Sequence, residues 1–258
     1  MNNRIHELFR TKKKNVLCIY FTAGYPDLNS TEVLIKTLQN LPVDLIEIGI
    51  PYSDPLADGM VIQNSNQISL KNGMNISFLF SQIKKIRYKM KIKTPIILMG
   101  YYNQFYKFGA ENFLKKCIDS GISGLILPDL PVDLFLKKYQ KLFRRYFLSI
   151  IFLVTPKTTT QRISLLSTLT DGFLYLVSSN STTGEYLLFG KEQISFFERV
   201  HKLSQRIPKL IGFGIRDKKS FDLSCQYANG GIIGSSFIES LNKNKLEDSI
   251  NKYIKSIR

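Results

Sequence analysis

Residues 46–59 read Ile-Glu-Ile-Gly-Ile-Pro-Tyr-Ser-Asp-Pro-Leu-Ala-Asp-Gly. The stretch opens as an apolar strand, Leu45–Gly49, and then runs into a loop broken by Pro51 and Pro55. Successive strand side chains alternate faces, so Ile46 and Ile48 share one face and Leu45, Glu47 and Gly49 share the other. A carboxylate in an apolar strand is costly unless something pairs with it or uses it. The loop brings a second carboxylate, Asp58, back to the same strand end. Two carboxylates in different settings can hold different protonation states near neutral pH, which suits acid/base chemistry on a small substrate.

Working outward, short apolar runs recur along the chain. Strands are expected at Val16–Phe21, Leu45–Gly49, Pro95–Met99, Gly124–Leu127, Ser149–Val154, Phe173–Ser178, Leu210–Phe213 and Gly231–Gly234. Between them lie amphipathic helical patterns at Ser30–Gln39, Ile76–Lys89, Ala110–Ser120, Val132–Tyr146, Thr160–Thr168, Glu192–Gln205 and Asp217–Ala228. Further helices are expected at Asn3–Lys14 and Lys245–Ile257. Strands that alternate with helices imply parallel pairing. Their continuous apolar character fits a sheet covered on both faces. Eight repeats in 258 residues predict a single-domain (β/α)8 TIM barrel over residues 1–258, with an extra N-terminal helix. An open doubly wound sheet would need a glycine-rich first turn, and Thr22-Ala23-Gly24-Tyr25-Pro26 is not one.

Composition excludes several classes. No apolar run reaches the roughly 18 residues of a membrane span, and the N-terminus lacks the apolar segment of a secretory signal. Cys18, Cys117 and Cys225 are widely spaced, which predicts reduced thiols in a cytoplasmic protein rather than a disulfide or zinc framework. The formal net charge is +16, from 36 Lys and Arg against 20 Asp and Glu. Such a charge can mark a nucleic-acid or phosphate partner. The lysines are nevertheless scattered along the chain, without interleaved aromatics, and abundant Lys, Ile and Asn point to compositional drift.

In a barrel of this kind the site lies at the C-terminal strand ends. That narrows the candidates to Glu47, Asp54, Asp58, Asn103, Asp129, Lys157, Tyr175, Thr183, Gly214 and Ser235. Glu47 would point into the barrel, and no Lys or Arg falls inside the strand runs to pair with it. Asp58 precedes a helical stretch starting near Met60, so an N-cap is the competing structural role. Only two histidines exist, His6 and His201, and neither falls at a C-terminal strand end. Acid/base work is therefore left to carboxylates or Tyr. Gly212–Ile215 and Gly230–Ser236 end the seventh and eighth strands, where glycines and a helix start suit a phosphate. Ser179–Gly190 is long and polar and reads as a lid. Lys157 raises Schiff-base chemistry but sits outside its strand, past Pro156.

These blocks together resemble the tryptophan synthase alpha chain family. Ile46–Gly59 resembles the family signature at every constrained position. Thr22–Pro26, Tyr102-Asn103, Pro128–Pro131, Thr183-Gly184, Gly212–Ile215 and Gly234-Ser235 follow in order. The resemblance implies a lyase that cleaves indole-3-glycerol phosphate to indole and glyceraldehyde 3-phosphate in L-tryptophan biosynthesis. It assigns Glu47 as general acid/base and Asp58 as partner of the indole N–H. Tyr175 and Phe213 would line the indole pocket, and Thr183, Gly184, Gly214, Gly234 and Ser235 would bind substrate around the phosphate. A beta chain is the implied partner, in an α2β2 heterotetramer, with Asp54, Pro55 and Asn103 as its contacts. No metal or cofactor is expected on this chain, and pyridoxal phosphate is expected on the beta chain. The lid departs from the family pattern at Ser179, where Arg is usual. A free-standing lyase without a beta chain shares the signature and is the alternative.

Overall fold

The computed structural model describes residues 3–55, 58–178 and 189–258. Nine parallel strands form one sheet: β1 (Val16–Thr22), β2 (Leu45–Gly49), β3 (Ile96–Met99), β4 (Gly124–Ile126), β5 (Ser149–Ile151), β6 (Leu153–Val154), β7 (Leu174–Val177), β8 (Lys209–Gly212) and β9 (Gly230–Ile233). Their order is β5-β4-β3-β2-β1-β9-β8-β7-β6. The two ends of that order are consecutive in the chain. The expected fifth strand, Ser149–Val154, is thus interrupted at Phe152. Its first half pairs with β4 and its second with β7. Phe152 directs its N–H to Thr170 Oγ1 at 3.3 Å, while its carbonyl accepts from Tyr175 N at 3.0 Å. The ring closes through this break, and the fold is a (β/α)8 barrel.

Strand alternation sorts the apolar side chains into two cores. Leu17, Ile19, Phe21, Ile46 and Ile48 face the surrounding helices. Val16, Cys18, Tyr20, Leu45, Ile97, Phe173, Tyr175, Leu210 and Ile232 fill the barrel. The N-terminal helix, Arg4–Thr11, plugs the barrel's N-terminal end with Ile5 and Phe9, one turn apart on one face. Asn3 caps it, accepting from Ile5 N at 2.9 Å and donating to Ser123 O at 2.8 Å and Ser149 Oγ at 3.0 Å. The helix is therefore anchored to the bottoms of β4 and β5, and only the opposite mouth is left for a site.

Three helices were not expected from the sequence pattern, or only as a start: Met60–Lys71, Tyr102–Phe108 and the short Ser235–Ser240. The Val132–Tyr146 pattern is helical but carries a π-turn at Phe135–Tyr139. Strand β8 begins at Lys209, one residue before the expected start, so a lysine does lie in a strand. It sits at the plugged end, with Nζ donating to Ser204 O at 2.7 Å and Ile207 O at 2.8 Å. It is spent there and not paired with Glu47. Among the described residues no helix is long and apolar enough to cross a membrane, and all three cysteines are free.

Candidate active site

Glu47 is fully buried at the centre of β2, in register with Tyr20 of β1 and Ile97 of β3. Its Oε2 accepts a 3.9 Å contact from the Cys18 thiol, and its Oε1 has no hydrogen-bond partner among the described residues. No ion pair reaches it within the described residues. A buried carboxylate without a cation holds its proton. Burial, and then the charge of Asp58, raise the Glu47 carboxyl from an ordinary 4.5 to about 8.

Asp58 faces the same space from the loop after β2. The helix Met60–Lys71 is capped by Gly59, with no side-chain cap hydrogen bond, so the N-cap role does not fall to Asp58. Its backbone is held by Asp58 N donating to Pro55 O at 3.0 Å and by Gln63 Nε2 donating to Asp58 O at 2.8 Å. Its carboxylate accepts from the Tyr101 hydroxyl at 3.4 Å. Burial raises Asp58 to about 6, against the opposing effect of that hydroxyl. At pH 7 the pair is therefore split: Glu47 is mainly a neutral acid and Asp58 mainly an anion.

Both carboxyls line a cavity of about 290 Å³ at the open end of the barrel, with Tyr20, Val61, Ile62, Met99, Tyr175, Phe213, Gly214, Ile232, Gly234 and Ser235. This apolar wall with a few convergent polar groups is the usual make-up of a small-molecule site. Tyr175 projects from β7, and its hydroxyl occupies the space a side chain at Gly212 would need: a Cβ there would fall 2.2 Å from it. Phe213 adopts a left-handed backbone, φ +71°, followed by Gly214 at +75°. That conformation is uncommon for a bulky residue and clusters at functional sites. Ser178 holds it, donating to Phe213 O at 3.0 Å and Gly212 O at 3.3 Å. The Phe213 ring, 37% exposed, stands edge-on to Tyr175 at 6.4 Å.

The far wall is built by the start of helix Ser235–Ser240, whose N-cap is Gly234. First-turn N–H groups of a helix lack intrahelical acceptors, so they can receive an anion. Gly214 lies on the same wall, so Gly214 and Gly234, two of the three glycines expected to hold phosphate, line one cavity. Thr183, Gly184 and the lid with Ser179 lie outside the described residues. Gly234→Asp should raise the substrate KM by at least tenfold. A Cβ at Gly234 already comes within 3.3 Å of Tyr20 Cδ1, and the added carboxylate would repel the phosphate. Calorimetry with glycerol 3-phosphate checks this, and normal binding would place the phosphate elsewhere.

Other candidates fall outside the cavity. Lys157 is exposed. Asp129 caps the loop after β3, accepting from Tyr102 N at 2.7 Å. His6 pairs with Asp171 at 2.7 Å at the plugged end. On the rim, Asp54 and Asn103 are exposed, whereas Pro55 is buried. Asn103 Nδ2 donates to the Tyr52 hydroxyl at 3.3 Å, and Tyr52 stacks on Tyr101 with ring centroids 4.7 Å apart. A line of contacts thus runs from the rim to Asp58.

The scattered-lysine reading needs correction. The fold gathers Lys13, Lys14, Lys202, Arg206 and Lys209 around one groove at the plugged end, with His201 beside them. The aromatics there, Phe197 and Tyr227, are buried and half-buried rather than free to stack on bases. Sequence reasoning also missed Tyr20, Met99, Ile232, Arg216 and Glu239, all of which line the site cavity. The alternation Val16, Cys18, Tyr20, Thr22 on one face of β1 was the available signal for Tyr20.

Residues 7–257 match the family described as tryptophan synthase alpha chain. The tryptophan synthase alpha chain of Karelsulcia muelleri is 57% identical over 255 residues, 99% of each chain. Among solved structures, the tryptophan synthase A-subunit of Pyrococcus furiosus superposes with a TM-score of 0.86 at 33% identity. It covers 95% of this chain and 98% of that one. A chain of the tryptophan synthase complex from the same organism gives a TM-score of 0.86 at 32% identity, over 95% and 98% of the two chains.

Proposed function

The chain belongs to the tryptophan synthase alpha chain family, a lyase of tryptophan biosynthesis, and we propose that Glu47 and Asp58 carry its retro-aldol chemistry. The reaction cleaves indole-3-glycerol phosphate to indole and glyceraldehyde 3-phosphate. The observation that carries the assignment is the split pair: a neutral Glu47 at about 8 and an ionised Asp58 at about 6 in one cavity.

The steps follow from those states. Glu47 gives its proton to indole C3, and the ring nitrogen becomes cationic. Asp58 stabilises that charge through the ring N–H. Glu47, now a carboxylate, takes the proton of the adjacent side-chain hydroxyl. The C–C bond breaks as the C–O bond becomes a carbonyl, and its electron pair returns to the ring. Glu47 ends as it began, protonated. Tyr175 and Phe213 frame the indole, and Gly214, Gly234 and Ser235, with Thr183 and Gly184, hold the phosphate. These steps draw on side chains alone. No cofactor is assigned to this chain, and pyridoxal phosphate belongs to the beta chain.

A structural neighbour of this chain is part of the tryptophan synthase complex of Pyrococcus furiosus, and we propose that this chain works with a beta chain. For this chain we place the partner at the barrel mouth in a cytoplasmic α2β2 heterotetramer. Asp54 and Asn103 are exposed there, and the Asn103–Tyr52–Tyr101–Asp58 line connects that face to the catalytic pair. Pro55 would support the rim from beneath. Docking that orders this line would raise turnover by completing the site. An assay of indole release with and without the beta chain should show low turnover alone and strong activation in the complex. Asp54→Ala should blunt activation more than isolated-chain turnover. Full activity of the isolated chain, with no complex by sedimentation at micromolar concentration, would favour a free-standing lyase.

A further inference from the structure

Tyr20 faces Glu47 across the β1–β2 pair, and both side chains point into the barrel. Two glycines fix where its phenol lies. At one end, a Cβ built on Gly234 would touch Tyr20 Cδ1 at 3.3 Å and Cβ at 3.6 Å. At the other, a Cβ built on Gly49 would fall 2.1 Å from the Tyr20 hydroxyl. The hydroxyl therefore fills the place of a side chain at residue 49. That place is one inward-facing position beyond Glu47, toward the mouth.

The ring thus spans the gap between the phosphate corner and the acid. A substrate anchored by phosphate at Gly234 and Ser235, with its reacting carbon at Glu47, must lay its intervening carbons along Tyr20. Those carbons bear the hydroxyls of the glycerol chain. Burial, and then the charge of Asp58, hold the Tyr20 phenol well above its ordinary range, so it stays a neutral O–H and a donor. The Thr22 hydroxyl, hydrogen-bonded to the phenol, acts in the opposite sense and is also paired with Ser65 Oγ at 2.6 Å.

The geometry points to Tyr20 as a further substrate-contacting residue, whose hydroxyl hydrogen-bonds the glycerol chain and selects a hydroxylated chain over a plain alkyl one. This rests on the lyase reading above. It predicts a selectivity that packing by the ring alone would not produce.

The test uses two ligands and two proteins. The ligands are indole-3-glycerol phosphate and 3-(indol-3-yl)propyl phosphate, which keeps ring and phosphate but lacks both hydroxyls. The full-length Glu47→Gln variant, expected to bind substrate with turnover cut by about 10²-fold or more, is compared by calorimetry with Glu47→Gln/Tyr20→Phe. Loss of one neutral hydrogen bond corresponds to about threefold to tenfold in affinity. That loss is expected for the glycerol ligand, with no change for the propyl ligand. Tyr20→Phe alone should lower kcat/KM by a similar factor. Gly49→Ala displaces the same hydroxyl while keeping the phenol, and should show the same ligand-selective loss. Equal losses for both ligands, or none for either, would overturn the assignment and leave Tyr20 a wall. Failure of the unmodified chain with its beta chain to cleave indole-3-glycerol phosphate would sink the lyase reading itself, and that arm is read separately.

Discussion

Glu47→Gln is expected to cut indole release by about 10²-fold or more while the chain folds normally and grows more stable at alkaline pH. The loss follows because Gln can neither give a proton to indole C3 nor take one from the hydroxyl, and a general acid/base contributes roughly 10²- to 10⁴-fold. No substitute is at hand: the two histidines lie at the plugged end, and Lys157 is exposed. The stability gain follows from the same burial. The folded Glu47 titrates at about 8 and its ordinary value is 4.5. Below pH 4.5 both folded and unfolded chains carry the proton, and Glu47 imposes no penalty. Between 4.5 and about 8 the unfolded chain releases the proton while the folded one keeps it, so stability falls as pH rises. Above that window the cost is constant and reaches on the order of 5 kcal/mol at most. Gln has no charge to bury, so the variant escapes the penalty. Denaturant unfolding at pH 4.5 and pH 8.5 should show near-equal stabilities at the first and a more stable variant at the second. Retention of more than about a tenth of wild-type turnover would remove Glu47 from the mechanism. Equal stability at pH 8.5 would remove the buried-acid account.

The same residue shows why so much of the fold was legible in the chain. Glu47 stands out because a strand offers only two faces, and the Ile46/Ile48 face is plainly the helix-facing one. Parallel strands covered on both sides are written as continuous apolar runs, so their number and order could be read directly. What the runs do not record is hydrogen-bond geometry between neighbours. The break at Phe152 is invisible in Ser149–Val154 because it depends on Thr170 taking the Phe152 N–H from another part of the chain. Lys209 lay outside the expected strand because the apolar run begins at Leu210. Its charge is accommodated by two backbone carbonyls at the barrel bottom, Ser204 O and Ile207 O, and an apolar pattern does not record where carbonyls point. Tyr20 was lost for a third reason. An aromatic in an apolar run reads as core, and it is Gly49 at the end of β2 and Gly234 just past β9 that show its phenol lies across the site. The basic groove at the plugged end is likewise a product of the fold, since it joins lysines nearly 200 positions apart.

Asp58→Asn is expected to lose on the order of 10²-fold or more in kcat with little change in substrate affinity and no loss of stability. Asparagine keeps the size of the side chain and can still accept from the ring N–H, so the ground-state complex should form. It cannot place negative charge beside a ring nitrogen that turns cationic when C3 is protonated, and removal of such a preorganised partner acts on the transition state. The pH profile separates this role from any structural one. In the wild-type chain Asp58 titrates near 6 and Glu47 near 8, so activity should fall on the acid side as Asp58 gains a proton and on the alkaline side as Glu47 loses one. The Asp58→Asn variant has nothing to titrate at 58. Its residual rate should lose the acid limb and keep an alkaline limb moved to lower pH, because the charge at 58 helps to raise Glu47. The competing role, a cap on the helix that begins at Met60, makes the opposite forecast of an unchanged rate and a less stable helix. Gly59 already occupies that cap position and makes no side-chain hydrogen bond, so the variant should be no less stable than the wild type, and more stable above about pH 6, where the raised Asp58 carboxyl weighs against the folded wild type. Stopped-flow indole release across pH 5 to 9, paired with denaturant unfolding, decides between them. A variant that keeps its rate and its acid limb would show that the indole nitrogen is served by another group.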